Sequence, residues 1–218
     1  METPFRTNPI YHVPHLEQNR LPDLIVPQSE SCALDLDASF GRSAPLEVDI
    51  GSGKGRFVAA RAAAFPEHNF IAIERQLRRV RSVQSKVRQH QLSNLRMLRV
   101  EASHALAQLI PDDAMHACYV FFPDPWPKRR HASRRLFTET FRTALWKKLQ
   151  IDGCINFATD HQEYFDFVEA QLLADHRFER TETFVTSPEE QSEFEQLFLE
   201  QEKPIGRCSF KKIVAPSA

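Results

Sequence analysis

The residues with the clearest capacity for chemistry lie in one proline-rich stretch, residues 120–131. Asp124 stands between Pro123 and Pro125 directly after an apolar run, and Trp126 and a basic cluster follow. Proline fixes its own φ and favours extended backbone in the residue before it, so this stretch is not helical. An acid, an aromatic ring and several cations on a stiff loop at a strand end indicate a binding or catalytic site centred on Asp124.

Further carboxylates recur at equivalent positions along the chain. Apolar runs alternate with helical patterns, and an acid lies at or next to the end of each of the first five runs. These acids are Asp49, Glu74, Glu101, Asp124 and Asp160. In open α/β sheets, ligands bind beyond the carboxyl ends of the strands. Any one acid could simply cap the following helix, but five in phase with five strands favour one shared site.

A glycine-rich turn follows the first of these acids. Gly51, Gly53 and Gly55 have the spacing G-x-G-x-G, which lets the backbone approach a ligand closely. This spacing departs from the dinucleotide fingerprint, and the triphosphate-binding P-loop motif is absent. Glu74 is placed to accept hydrogen bonds from ribose hydroxyls, and Glu101 to approach an adenine edge. We therefore predict a site for an adenosine without phosphate, and the cationic cofactor S-adenosylmethionine (SAM) meets that description.

These positions require a regular alternation of strands and helices. The predicted strands cover residues 46–50, 70–73, 95–100, 118–122 and 154–158. The predicted helices cover residues 56–65, 76–90, 103–110, 133–149 and 161–174. Residues 178–185 and 207–214 alternate like a terminal hairpin pair, with a helix at 189–199 between them. Five strand–helix repeats predict an α/β fold with a parallel sheet, closed by less regular strands.

The composition indicates one globular domain behind an N-terminal arm. The chain has 218 residues, of which 42% are hydrophobic and 26% charged. Residues 1–44 are rich in proline and polar side chains, so we expect a partly ordered arm, with the folded domain at 45–218. The four cysteines lack metal-ligand spacing, which favours reduced thiols in the cytoplasm and no metal. We expect no membrane segment, because no apolar run approaches the required length.

Basic residues are concentrated in two segments, although the formal net charge is only −1. Residues 75–99 contain eight Lys and Arg and no acid, and residues 128–148 contain eight with Glu139 as the single acid. Beyond Asp160 the chain is acidic. Such polarisation favours a polyanion bound on one face. The alternative is that these are ordinary solvated helix faces.

Five short stretches carry a resemblance to a known family. VDIGSGKG, IAIER, FFPDPWPKRRHASRRL, NFATD and SEFE occur in this order. From about residue 46 to 210 they resemble the bacterial tRNA (guanine-N(7)-)-methyltransferase family. The resemblance implies a Rossmann-like SAM-dependent methyltransferase fold, with a seven-stranded, mostly parallel sheet and an antiparallel last strand. It also implies methyl transfer from SAM to the position-7 nitrogen of a guanine in tRNA, usually variable-loop position 46, to form 7-methylguanosine.

The same resemblance implies roles for single residues. Asp124 matches the family's cofactor-contacting and catalytic acid. The other cofactor-binding positions are Asp49, Gly51, Gly53, Glu74 and Glu101. The substrate-binding positions are Lys128, Asp160, Ser192, Glu193, Phe194 and Glu195. The RNA-contacting positions are Arg130, His131, Arg134 and Arg135. Nothing in the sequence points to an obligate protein partner.

The implied reaction needs no general base. The position-7 nitrogen of guanine has an in-plane lone pair and no proton to lose, so catalysis consists mainly of alignment. We expect the Asp124 carboxylate to accept hydrogen bonds from the guanine N–H edge and to offset the positive charge that develops on the purine. Trp126 is either a floor beneath the flipped guanine or SAM, or a part of the core beneath the loop.

Alternatives remain open for single residues and for the whole chain. Asp160 could cap the following helix, and Ser192 with Glu195 could be an ordinary helix cap. The alternative functions are a SAM enzyme acting on a protein amine or a small molecule, a non-catalytic RNA-binding module, and a nicotinamide-dependent oxidoreductase. The basic segments after Asp124 argue against a small acceptor. The intact set of acids argues against a decayed enzyme.

Overall fold

Apolar runs of the sequence form the strands of one central sheet. The computed structural model describes residues 19–126 and 129–214. Within these residues the strands are β1 (Leu24–Ile25), β2 (Leu46–Ile50), β3 (Asn69–Ile73), β4 (Leu95–Leu98), β5 (Met115–Phe121), β6 (Leu149–Thr159), β7 (Phe178–Arg180) and β8 (Gly206–Lys212). Each of the five runs predicted as parallel strands is present, as β2 to β6. Strands β2 and β3 are buried at every position, including the polar Glu47, Asp49 and Asn69.

The strand order creates a crevice in the middle of the sheet. The order is β1-β4-β3-β2-β5-β6-β8-β7. Strand β8 runs antiparallel to both β6 and β7, and the other neighbouring pairs are parallel. The prediction of a mostly parallel sheet with an antiparallel last strand is confirmed. The order reverses between β2 and β5, and this switch point is where α/β sheets bind ligands.

Helices cover both faces of the sheet. They are α1 (Leu36–Phe40), α2 (Arg56–Ala64), α3 (Leu77–Gln89), α4 (Ala102–His104), α5 (Glu139–Lys148), α6 (Gln162–Leu173) and α7 (Glu193–Glu200). A π-helical turn, Ala105–Leu109, continues α4, and a 3-10 turn, Arg129–Arg134, precedes α5. One apolar layer includes Val58 and Val83, and the other includes Leu106, Leu145 and Val168. No helix in the described ranges is both long and apolar enough to cross a membrane.

Part of the predicted N-terminal arm joins the sheet. Residues 1–18 lie outside the described ranges, but β1 and α1 both come from the region predicted as arm. Strand β1 adds an eighth strand, which was not predicted, by pairing in parallel with β4. Asp35 caps α1 by accepting a hydrogen bond from the backbone N–H of Ala38 at 2.9 Å. This region therefore contains a short strand and a short helix, although its polar residues and prolines had predicted neither.

The predicted helix at 133–149 is wrong in its first part. The structure has a 3-10 turn up to Arg134, and α5 begins only at Glu139. Thr138 sets this start, because its hydroxyl accepts a hydrogen bond from the backbone N–H of Phe141 at 3.2 Å. The predicted start of the fifth strand is also wrong. Strand β6 follows α5 directly, and Gly153 lies inside it at an irregularity in the pairing with β5.

The tightness of that irregularity explains the glycine. A Cβ atom at Gly153 would lie 2.7 Å from the carbonyl oxygen of Met115, which is closer than real contacts allow. Gly153, which precedes the predicted strand at 154–158, therefore lies inside β6 at a point where backbones approach closely.

Candidate active site

Two adjoining cavities open at the switch point of the sheet. The first has a volume of about 720 Å³ and the second about 530 Å³. Both are lined by Gly51, Arg79, Phe121, Phe122, Pro123 and Asp124. Glu74 and Glu101 line the first cavity, whereas Asp49 and Asp160 line the second. Each of the five predicted acids lies in a strand or within three residues after one. All five therefore lie at the same edge of the sheet.

The loop after β5 forms the wall that the two cavities share. Phe122 and Trp126 have φ values of 51° and 43°, a left-handed conformation that costs free energy for residues with a side chain. The backbone N–H of Phe122 donates to the carbonyl of Ala158 at 2.7 Å. This bond ties the loop to the end of β6. The exposed carboxylate of Asp124 is thereby held at the junction of the cavities.

Arg135 supports this loop from below. Its Nε donates to the carbonyl oxygen of Pro125 at 2.9 Å, and its guanidinium lies over the rings of Tyr164 and Phe167 at 5.2 and 5.8 Å. Only 11% of the side chain is exposed, and Glu163 lies 3.8 Å away. The resemblance had implied that Arg135 contacts RNA. In the structure its side chain is instead largely enclosed by the protein. Stacking on aromatic rings explains its burial.

The other basic positions surround Trp126. The guanidinium of Arg134 lies over the Trp126 ring at 4.9 Å, and the His131 ring approaches its edge at 5.7 Å. Arg130 and Arg134 are exposed. Trp126 is half-buried and lines the first cavity, so it belongs to the wall of that cavity. Lys128 lies outside the described residues, and its predicted substrate contact stays a prediction.

Two of the four predicted cofactor acids, Asp49 and Glu74, are buried. Asp49 is 4% exposed, and burial, followed by the nearby charge of Glu74, raises its pKa to about 8. Glu74 accepts hydrogen bonds from the backbone N–H of Gln76 at 2.8 Å and from Arg79 at 3.3 Å. Glu101 is half-exposed and pairs with Arg75 at 3.5 Å. A cation bound beside such a buried carboxyl would lower its pKa and so favour its charged form.

The glycine turn is attached to the neighbouring strand. Gly51, Gly53 and Gly55 have φ values of 77°, 57° and 78°, which residues with a side chain rarely adopt. The N–H groups of Gly51 and Ser52 donate to the carbonyl of Ile73 at 2.9 and 3.1 Å. These two groups therefore fix the turn to β3 and are not aimed at a ligand. The buried Ser52 hydroxyl has no partner among the described residues, and a Cβ at Gly51 would meet open space.

Three of the four predicted residues at the start of α7 line the second cavity. These are Ser192, Glu193 and Phe194, and the Phe194 side chain is 49% exposed. The Ser192 hydroxyl also caps α7 by accepting from the backbone N–H of Glu195 at 3.1 Å. Glu195 is only 2% exposed and accepts from Arg207 at 2.6 Å and from Thr186 at 2.7 Å. Glu195 thus anchors the helix rather than lining the cavity.

Asp160 and the unpredicted Phe198 also line the second cavity. Asp160 lies 3.8 Å from the ammonium group of Lys203. Phe198 packs against Phe122 and Phe194, with ring centroids 5.3 and 6.2 Å apart. The helical spacing of Phe194 and Phe198, four residues apart, was the available sequence signal for this aromatic wall.

A buried ion-pair network anchors the segment that leads into α7. The guanidinium of Arg61 pairs with Glu47 on β2 and with Glu190, both at 3.0 Å. Its carbon lies 4.2 Å from the centre of the Phe65 ring. Tyr119 donates to Glu47 at 2.7 Å. Burial, followed by the charge of Glu47, raises the Tyr119 pKa, so this phenol remains a donor. Residues 181–192 contain no helix or strand and depend on such side-chain contacts.

Among residues 19–126 and 129–214, no group of three or more His, Cys, Asp and Glu side chains is arranged to hold a metal ion. All four cysteines are free thiols.

The chain is similar in sequence to known methyltransferases. Residues 43–208 match a family model with the description "Putative methyltransferase". The tRNA (guanine-N(7)-)-methyltransferase of Nitrosomonas europaea is 36% identical over 167 residues, covering 77% of this chain and 74% of that protein. The protein of the same name from Thermotoga maritima is 38% identical over 152 residues, covering 70% of this chain and 47% of that protein.

Solved structures of other methyltransferases share the fold. The 16S rRNA methyltransferase KamB has a TM-score of 0.59 at 14% identity, covering 83% of this chain and 94% of that chain. The antibiotic-resistance methyltransferase Kmr has a TM-score of 0.57 at 17% identity, covering 87% of this chain and 95% of that chain. The architecture is therefore the Rossmann-like fold of SAM-dependent methyltransferases.

The buried carboxyl of Asp49 makes stability depend on pH. Its folded-state pKa of about 8 exceeds the value of 3.8 expected for an exposed Asp, so the stability that the protonated form contributes is lost as pH rises toward 8. We expect Asp49→Asn to become progressively more stable relative to the wild type between pH 4 and pH 8, by on the order of 4 kcal/mol. Urea unfolding across this range measures the difference, and a constant difference would contradict it.

The network at Arg61 also gives a matched pair of variants. Glu190→Gln should lower the free energy of unfolding by about 1–3 kcal/mol, because it removes an anionic partner of a buried guanidinium. The neighbouring Glu189 is exposed, so Glu189→Gln should change stability by less than about 0.5 kcal/mol. Amide hydrogen exchange should speed up at residues 187–195 in Glu190→Gln alone. Equal behaviour of the two variants would show that this ion pair does not anchor the segment.

Proposed function

Because the chain belongs to the tRNA (guanine-N(7)-)-methyltransferase family, we infer that it transfers a methyl group from SAM to the position-7 nitrogen of a guanine in tRNA. The observation that carries this function is the pair of cavities that share the Asp124 loop as a wall. One cavity suits the cofactor and the other suits a purine, and the two meet where a methyl group would pass between them.

The residues of the first cavity, together with Asp49 from the second, fit SAM. The first cavity's volume of about 720 Å³ is of the size that small-molecule sites have. Glu74 can accept from the ribose hydroxyls, and Glu101 lies where the adenine edge would be bound. Asp49 is a buried carboxyl with a raised pKa, which suits a cationic ligand. When bound, SAM supplies an electrophilic methyl group on a sulfonium.

The second cavity fits a guanine turned out of the RNA. Its volume is about 530 Å³, and Phe194 and Phe198 offer aromatic faces for stacking. Asp124, Asp160 and Glu193 offer carboxylate oxygens. A guanine presents N–H donors on its Watson–Crick edge, so these acceptors select it over an adenine, whose ring nitrogen in that position carries no hydrogen.

The protein's contribution to the reaction is position and charge. The position-7 nitrogen attacks with its own lone pair, so no side chain has to remove a proton. Alignment of reacting atoms can lower a barrier by roughly 7–11 kcal/mol. Asp124 stabilises the positive charge that develops on the purine, because its carboxylate is already held at the junction by a rigid loop. Holding the loop in place before binding avoids an ordering cost during the reaction.

The finer features of the substrate also follow from the family. We place the methylated guanine at position 46 in the variable loop. Arg130, His131 and Arg134, together with Lys128, would bind the RNA backbone beside the first cavity. We place the enzyme in the cytoplasm, where its four thiols stay reduced.

Replacing the central acid tests the catalytic role. Asp124→Asn should lower kcat by about 100-fold or more, because the amide cannot offset positive charge. Asp166→Asn is the matched control, since Asp166 is exposed on α6 and accepts a hydrogen bond from Gln162 on the same helix. Labelled SAM with tRNA gives the rates, and nucleoside mass mapping gives the modified position. Near-normal turnover by Asp124→Asn at saturating tRNA and SAM would refute the role.

Cofactor binding should be linked to proton release. At pH 7 Asp49 is largely protonated because its pKa is about 8, and a cationic ligand beside it favours loss of that proton. Calorimetry of SAM binding in buffers of different ionisation enthalpy should detect close to one proton released by the wild type. Asp49→Asn should show correspondingly less release. Identical proton release by both proteins would show that Asp49 does not lose its proton when SAM binds.

A further inference from the structure

We propose that Lys54 and Arg79 form a phosphate subsite that holds the RNA backbone next to the target guanine. The inference rests on the proposed function, because it assigns the second cavity to a base within RNA. Lys54 lies in the glycine turn and Arg79 in the basic segment 75–99, but the sequence assigned neither residue a role of its own.

The charge of the second cavity creates the need for such a subsite. Besides the buried and largely protonated Asp49, three carboxylates line it, from Asp124, Asp160 and Glu193. These acids suit a purine that becomes positively charged, but they repel the phosphates on either side of it. Among the described lining residues, the cations are Lys54 and Arg79. They are therefore the groups that can admit a polyanion to an acidic cavity.

Arg79 is held at the junction with donors to spare. It is the third residue of α3, lines both cavities and has a side chain that is 35% exposed. One of its terminal nitrogens donates to the buried carboxylate of Glu74 at 3.3 Å. A guanidinium has five N–H donors in a fixed fork, and a phosphate is the anion that this geometry matches. Glu74 thus orients Arg79 while leaving donors for a ligand.

Lys54 completes the subsite from the glycine turn. It is exposed between Gly53 and Gly55, whose left-handed backbone fixes the turn. An exposed ammonium on a flexible stem suits a mobile phosphate rather than a buried group. Lys54 lines only the second cavity, and Arg79 lines both. Both cations therefore line the cavity assigned to the methyl acceptor, which favours an RNA phosphate over the carboxylate of SAM.

A cycle that pairs protein variants with altered RNA tests this contact. The wild type, Lys54→Gln and Arg79→Gln are assayed at saturating SAM on synthetic tRNAs in which one phosphate flanking the target guanosine is a neutral methylphosphonate. In the wild type, one of the two replacements should lower kcat/KM by about tenfold. In Lys54→Gln or Arg79→Gln, that same replacement should cost less than about twofold, because the contact is already lost.

Two matched controls keep the cycle specific. Arg56 follows Lys54 by two residues, and Arg78 precedes Arg79, yet neither lines a cavity. Arg56→Gln and Arg78→Gln should therefore retain the full loss on the methylphosphonate tRNA. The proposal is overturned if the replacement costs the same in Arg79→Gln and Lys54→Gln as in the wild type. It is equally overturned if neither phosphate matters to the wild type.

Calorimetry with SAM separates the two sources of negative charge. Lys54→Gln and Arg79→Gln could weaken SAM binding by the same factor by which they lower kcat/KM on unmodified tRNA. In that case Lys54 and Arg79 hold the cofactor carboxylate, and the phosphate subsite is refuted. Failure of the proposed function looks different. In that case the wild type would not methylate unmodified tRNA at all.

Discussion

The structure depends on one loop being held in a conformation that its residues do not favour. Two hydrogen bonds oppose the cost of that backbone: the one from Phe122 to the carbonyl of Ala158, and the one from Arg135 to the carbonyl of Pro125. Outside the loop, the first bond ends on Ala158 of β6 and the second begins at Arg135, in the segment before α5. Arg135 in turn packs on aromatic rings of α6. The loop can therefore separate two cavities and present Asp124 to each of them. A reaction without proton transfer depends on such fixed geometry.

The distribution of charge around the two cavities agrees with the proposed reaction. Acids line both cavities, and in the proposed reaction positive charge is carried first by the cofactor and then by the purine. Cations lie in the second cavity and in the flanking 3-10 turn, the positions at which we propose that RNA phosphates bind. The buried Asp49 is costly for the isolated protein, because burial and Glu74 raise its pKa. A cationic ligand beside Asp49 would favour its charged form.

The wall on the acceptor side depends on buried ion pairs rather than on regular structure. Residues 181–192 contain neither helix nor strand, yet they lead directly into α7. Arg61 with Glu190, and Arg207 with Glu195, attach this stretch to the body of the protein. Breaking such a pair leaves a buried charge without its partner, so each pair fixes a single arrangement. The Phe194 and Phe198 wall is positioned by these distant contacts.

The sequence by itself determined the parallel strands, the acids at their ends and the glycine turn. Each of these features is local, because burial, strand ends and tight turns leave their mark in adjacent residues. Only the tertiary structure decided that Arg135 is buried, that Glu195 anchors α7 and that Arg79 faces both cavities. Their roles depend on distant partners, as with Arg61 and Glu190, which are 129 residues apart. A charged side chain looks the same in sequence whether solvent, another charge or an aromatic ring surrounds it, and only folding makes that choice.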